Sequence, residues 1–180
     1  LKKMHLDDTI RKLKGYPEEH LKSLNQWAAV GLNRFHEGSQ TEFDFITKEG
    51  LSHQILLEWD SAFNPEMMVE VRDISNFGGI SLALFYMCVL NGYRRCRQSE
   101  QGEGVDYYFS KGTADNQDLF GTDGVYVEIS GTCTPGKAEI LERVRKKHEQ
   151  ISRGSRSNEK TAVIVSSLPE KCTTYESHEG

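Results

Sequence analysis

The segment Val69 to Leu90 constrains this chain more than any other. It carries Val71, Ile74, Phe77, Ile80, Leu82, Leu84, Phe85, Met87 and Cys88, so its second half is apolar nearly all round. A helix of that composition is a buried one, and Asn91-Gly92 supplies its stop. The paired Gly78 and Gly79 lower helix propensity, which predicts a kink or a close approach by another backbone. No run of about 18 uninterrupted apolar residues occurs, so a membrane-spanning helix is not expected. The start, Leu1 to His5, has no apolar run behind its lysines, and no signal peptide is expected either.

Downstream of the helix the chain has a clear rhythm. Tyr93 to Gln98 and Val105 to Phe109 read as short strands, and a polar loop from Lys111 to Gly124 leads to a third strand, Val125 to Ser130. Thr134-Pro135-Gly136 opens a helix from about Lys137 to Ser152, and Ala162 to Ser166 is a last strand. Upstream, Leu6 to Leu13 predicts a short helix. Pro17, Glu18 and Glu19 suit the start of a second, with Leu21, Leu24, Trp27, Ala28 and Leu32 at helical spacing. Alternation around Lys48-Glu49-Gly50 predicts a hairpin over about 42–59, closed by Asn64-Pro65. The expected organisation is an extension at 1–64, an α/β core at 65–168 with a mixed central sheet flanked by helices, and a frayed polar tail at 169–180.

Composition bounds the partners. The 180 residues hold 27 Asp+Glu against 22 Lys+Arg, a net charge of −5, which argues against a generic nucleic-acid coating protein. Four cysteines, Cys88, Cys96, Cys133 and Cys172, form no CxxC pair, so a zinc site or disulfide framework is not expected and a reduced, cytoplasmic setting is.

The strand Val125-Tyr126-Val127-Glu128-Ile129-Ser130 is the most informative for chemistry. Val125, Val127 and Ile129 share an apolar face, and Tyr126, Glu128 and Ser130 share the other. A carboxylate in mid-strand is costly unless paired or metal-bound, and Asp106 poses the same problem on the preceding strand. Two acids facing the same way on neighbouring strands make a divalent-metal site. The equal alternative pairs each acid with an arginine at the sheet edge, Arg94, Arg95 or Arg97.

Helix–strand–strand–strand–helix–strand, with Gly104-Val105-Asp106-Tyr107-Tyr108 followed by Val127-Glu128-Ile129-Ser130-Gly131, resembles the core of the PD-(D/E)XK, or restriction-endonuclease-like, nuclease superfamily. It is also similar to uncharacterised bacterial proteins with GVDYW and LEVSG segments. The match covers about Val69 to Leu168. The resemblance implies Asp106 and Glu128 as ligands of Mg2+ (or Mn2+), and a lysine two residues after the glutamate that orients or activates the attacking water. Ser130 stands at that position. A serine holds a water but brings no positive charge, so Lys111 or Lys137 is expected to reach in. Some members add a glutamate on the first helix, for which Glu70 and Asp73 are candidates.

Gly131 to Ala138 reads G-x-x-x-x-G-K-A, one residue short of a phosphate-binding loop. Ala138 replaces the magnesium-holding hydroxyl, and Pro135 removes an N–H, so a plain strand-to-helix turn is expected. The basic residues between Lys137 and Lys160, among them Arg143, Lys146 and Lys147, together with Arg94, Arg95 and Arg97 suggest a positive rim for nucleic acid. The same run also suits a solvated helix face with i,i+4 pairs. The expected function is a divalent-metal-dependent nuclease acting on DNA or RNA. Its rival is a catalytically degenerate, nuclease-like interaction subunit of a bacterial defence or toxin assembly, docking a partner through residues 1–64.

Overall fold

The apolar helix folds as its sequence predicts. In the computed structural model, which describes residues 1–60, 70–112 and 124–178, α3 spans Val71–Phe85 and continues into a π-helical turn at Tyr86–Leu90. Glu70 caps its start by accepting the Arg72 N–H at 3.1 Å. By length and composition Val71–Leu90 is apolar enough to cross a bilayer, yet most of it is buried inside the fold as a core helix. Before it come β1 (Lys2–His5), α1 (Asp8–Lys12), α2 (Glu18–Phe35), β2 (Gln40–Thr47) and β3 (Gly50–Glu58). After it come β4 (Arg95–Gln98), β5 (Tyr107–Ser110), β6 (Val125–Thr132), α4 (Lys137–Arg153), β7 (Thr161–Ser167) and β8 (Cys172–His178). The expected boundary at Asn64-Pro65, and most of the loop from Lys111 to Gly124, lie outside the described residues.

The described strands make one mixed sheet in the order β1-β3-β2-β8-β7-β6-β5-β4, flanked by helices. The fold is therefore α/β, and α3-β4-β5-β6-α4-β7 follows the expected element order. Two corrections concern the ends. Residues 172–178 are not frayed: β8 pairs with β7 on one side and β2 on the other. Thr173 is fully buried there, and its hydroxyl lies 2.9 Å from that of Ser166. Its Thr, Tyr and His residues look polar in sequence, but two neighbouring strands satisfy the backbone and cover the side chains. Through β8, strands β1, β3 and β2 belong to the same sheet as β7 to β4. The second correction is β1, which sequence leaves unassigned and which pairs in parallel with β3 at the sheet edge.

Two layers cover the sheet. On one face α3 and α2 enclose the larger core, with Val125, Val127, Tyr107, Phe109, Ile164 and Leu82 within it. On the other, α4 lays Ile140, Val144 and Ile151 against Val163 and Val165. The glycine pair in α3 has the reason expected of it, at one of its two positions. A Cβ on Gly79 would stand 2.6 Å from Gly131 Cα, and one on Gly131 would collide with the Ser75 carbonyl oxygen. Helix and strand backbones touch at that crossing, which sets how deeply α3 sits on β6.

Candidate active site

The pairing of β5 with β6 brings the two suspected acids together. Tyr107 pairs with Val127 and Tyr108 with Tyr126, so the next position of the register sets Asp106 opposite Glu128. The ladder turns irregular there: the Asp106 N–H donates to the Val127 carbonyl at 2.9 Å, and its Oδ2 accepts the Ile129 N–H at 2.7 Å. A carboxylate thus takes a backbone donor of β6 where β5 has ended. Beyond it β6 runs on to Thr132 without β5 beside it. Asp106 lines a groove of about 670 Å3 formed by the Ser99–Gly104 loop and the last turn of α4.

Glu128 is completely buried beneath α4. Its Oε1 accepts from the Lys147 ammonium, while its Oε2 is buried with no N–H or O–H donor on it. The Asp106 carboxylate, opposite it in the β5–β6 register, adds its charge. Burial first, and then the Asp106 charge, raises the Glu128 carboxyl to about 7, although Lys147 pulls it down. Burial likewise raises Asp106, against the Ile129 N–H and the Lys147 charge. The unpartnered Oε2 of Glu128 beside the Asp106 carboxylate is the kind of oxygen donor a hard cation would take, and Mg2+ commonly takes one or two carboxylates and completes its shell with water and phosphate oxygens. Among the described residues no group of three or more acidic, His or Cys side chains is placed to hold a metal ion, so at the acid pair the carboxylates on offer would be those of Asp106 and Glu128.

Lys147 is the residue that sequence reading misplaces. It belongs to the suggested positive rim, yet it points into the sheet. Ile140, Val144, Lys147 and Ile151 share one stripe of α4, and a lysine interrupting an apolar stripe was the available signal. The neighbouring residues on that face of β6 meet cations as well. Arg143 donates to Ser130 Oγ at 3.2 Å while bonding Glu139 at 2.5 Å, and the Arg156 guanidinium lies 4.7 Å over the Tyr126 ring. Arg156 is anchored in turn by Glu103 at 2.8 Å. Tyr126, Glu128 and Ser130 do share one face, and each is met by a basic side chain of α4 or the loop after it.

The other candidates stand elsewhere. Lys111 lies 5.5 Å from the Tyr93 ring centre, and Lys137 occupies the first turn of α4 near Cys172, so neither is the ammonium at the acid pair. Glu70 and Asp73 sit on α3, on the opposite side of the sheet from Glu128. The cation on Glu128 is a helix lysine rather than an edge arginine. At the edge itself, Arg94 is exposed and its backbone N–H donates to Ser110, Arg97 lies 5.5 Å from the Tyr108 ring centre, and Arg95 stands opposite Ser110 in the ladder. Lys146 pairs with Glu142 at 3.3 Å, and Arg145 with the same acid at 2.8 Å. Much of the basic run of α4 is thus internally neutralised, as i,i+4 pairing expects. At the glycine-rich turn, Glu170 Oε1 accepts the Gly136 N–H at 2.8 Å, so a protein carboxylate fills the place an anionic ligand would take.

Compared with protein-family models, curated proteins and solved structures, the chain matches nothing.

Proposed function

We propose that this chain is a divalent-metal-dependent phosphodiester hydrolase built on a restriction-endonuclease-like core, with Asp106, Glu128 and Lys147 as its working residues. One observation carries the reading: the ammonium missing from position 130 is supplied by α4, against a Glu128 whose other oxygen is orphaned beside Asp106. Asp106 and Glu128 would hold Mg2+ (or Mn2+). Such an ion, when bound, stabilises charge on the attacked phosphate and makes a water more acidic. Lys147 partly offsets the burial that favours the protonated form of Glu128, and offers a positive charge to a phosphate oxygen. Ser130, held by Arg143, fixes that residue on β6. The groove along Asp106 is the open approach for substrate, DNA or RNA. Four free cysteines and an absence of CxxC spacing agree with a cytoplasmic setting.

The complete burial of Glu128 favours a second reading, in which Lys147 and the two acids are a buried cross-link in an interaction subunit. Cleavage of single- and double-stranded DNA and RNA, with titration of magnesium and manganese, separates them. The hydrolase reading expects metal-dependent cleavage that is lost in Asp106→Ala, Glu128→Ala and Lys147→Ala. Cleavage surviving all three sinks the assignment, and no cleavage of any substrate by wild type favours the interaction subunit.

A further inference from the structure

The end of β8 meets α4 through a pair of imidazoles. Glu176 and His178 stand opposite Val163 and Thr161 of β7, on the face that α4 covers. The pairing of β2 with β8 stops at Thr47 and Tyr175, where the Lys48-Glu49 turn begins. Among the described residues, β7 alone therefore pairs with residues 176–178. His148 of α4 reaches down to them: its Nδ1 lies 2.9 Å from that of His178, and its Nε2 lies 3.5 Å from Glu176 Oε2.

The two ring centres are 5.1 Å apart with 22° between their planes. That separation is nearly the N···N distance plus two centre-to-nitrogen radii, so both nitrogens lie close to the line of centres. This is the geometry of an N–H···N hydrogen bond, not of two lone pairs converging on a metal to one side. The hydrogen count fixes its charge state. The Glu176 carboxylate favours a hydrogen on the outer nitrogen of His148. Ser152 Oγ donates its own hydrogen to the His148 carbonyl at 3.0 Å and lies 3.4 Å from His178 Nε2, where it is left to accept. With a hydrogen on each outer nitrogen, a third proton lies between the inner two, and the pair carries one charge beside Glu176. A second charge would set N–H against N–H across the 2.9 Å contact. The other cations of this part of α4 are engaged, Lys147 by Glu128 and Arg145 by Glu142 and Glu149.

We propose that His148 and His178 form a one-proton clasp between α4 and the end of β8, closed by the shared proton and opened when a second proton charges both rings. The clasp grips α4 at the residue next to Lys147, yet it does not rest on the hydrolase reading. Burial first, and then the His148 charge, holds the His178 imidazole below the ordinary 6.5. Its contribution to stability is therefore full above 6.5 and is lost as pH falls through the lowered value. The test is an NMR titration of the imidazole C–H signals of the full chain from about pH 8 to about 4.5, with amide exchange of residues 176–178 followed alongside. A Glu128→Gln background removes the Glu128 titration from that window. The rings should titrate in coupled steps more than about one unit apart, the second below about 6.5. Across the second step, exchange at 176–178, corrected for its intrinsic pH dependence, should rise about fivefold or more while β7 stays protected. His148→Ala should leave His178 with a single step and no such rise. Independent titration of the two rings, exchange at 176–178 that ignores the second step, or an unchanged His178 titration in His148→Ala overturns the proposal.

Discussion

Lys147 on α4 donates to Glu128 on β6, joining a helix stripe to the centre of a strand across 19 residues of chain. That contact couples the stability of the fold to the chemistry of the site. A buried carboxylate with one cation and one orphaned oxygen is tolerated only while the cation stays.

Lys147→Met should therefore destabilise the metal-free protein by about 3–5 kcal/mol at pH 8. Much of that loss should vanish at pH 5, where Glu128 takes up a proton and no longer needs the ammonium. Adding Glu128→Gln to Lys147→Met should restore stability at pH 8. Urea melts of the two single variants and the double variant form the cycle that checks this, and strict additivity would mean the two side chains do not interact.

Glu128 sets a pH dependence of its own. Its folded-state value of about 7 lies above the ordinary 4.5, so its stabilising contribution is full below 4.5 and is lost as pH rises through about 7. The size is on the order of 3 kcal/mol. Wild type with chelator should thus lose stability relative to Glu128→Gln between pH 5 and 8, and added Mg2+ should offset the loss. Denaturant midpoints at both pH values, with and without the ion, decide it.

Ser130→Lys tests where the working cation resides. The Ser130 hydroxyl already receives Arg143 at 3.2 Å, and a second ammonium there would crowd Arg143 and Lys147. Cleavage should fall about tenfold, equivalent to roughly 1.4 kcal/mol in the barrier. A rise in turnover would mean that Lys147 does not replace the missing lysine.

The crossing of α3 over β6 has no room for a side chain. Gly131→Ala should cost about 3 kcal/mol, or about 6–12 °C in Tm for a chain of this size, because the obstacle is the Ser75 carbonyl and not a movable side chain. Gly78→Ala is the control: its Cβ meets nothing closer than 3.4 Å, at Ala28 Cα, and its Tm should change little. Equal effects would place the tight contact elsewhere.

The turn before α4 should bind no nucleoside triphosphate. Glu170 already holds the Gly136 N–H, and Thr132 Oγ1 accepts that of Thr134 at 3.0 Å. Calorimetry with MgATP should show no heat of binding, and Lys137→Ala should change nothing. Tight binding lost in that variant would restore the phosphate-loop reading.

Periodicity was enough for α2, α3, α4 and the strands β2, β3, β5, β6 and β7, because each carries an apolar pattern at its own repeat, whereas β4 was placed by its position between the helix stop and β5. The pairing of Asp106 with Glu128 was legible for the same reason: residues two apart on a strand share a face, and adjacent strands in register share it too. The polar ends were not legible. In β8, Thr173 and Cys172 are buried by β7 and β2, and no local pattern announces a strand whose partners lie 128 residues away at Asp44 and five away at Ser167. Nor does sequence say which lysine serves the acids. Lys111 and Lys137 are nearer along the chain to Asp106 and Glu128 respectively, yet Lys147 arrives because the β6–α4–β7 crossover lays the helix back along the strand. Local patterns choose the faces of helices and strands; which charge crosses the space between two faces depends on how those elements pack.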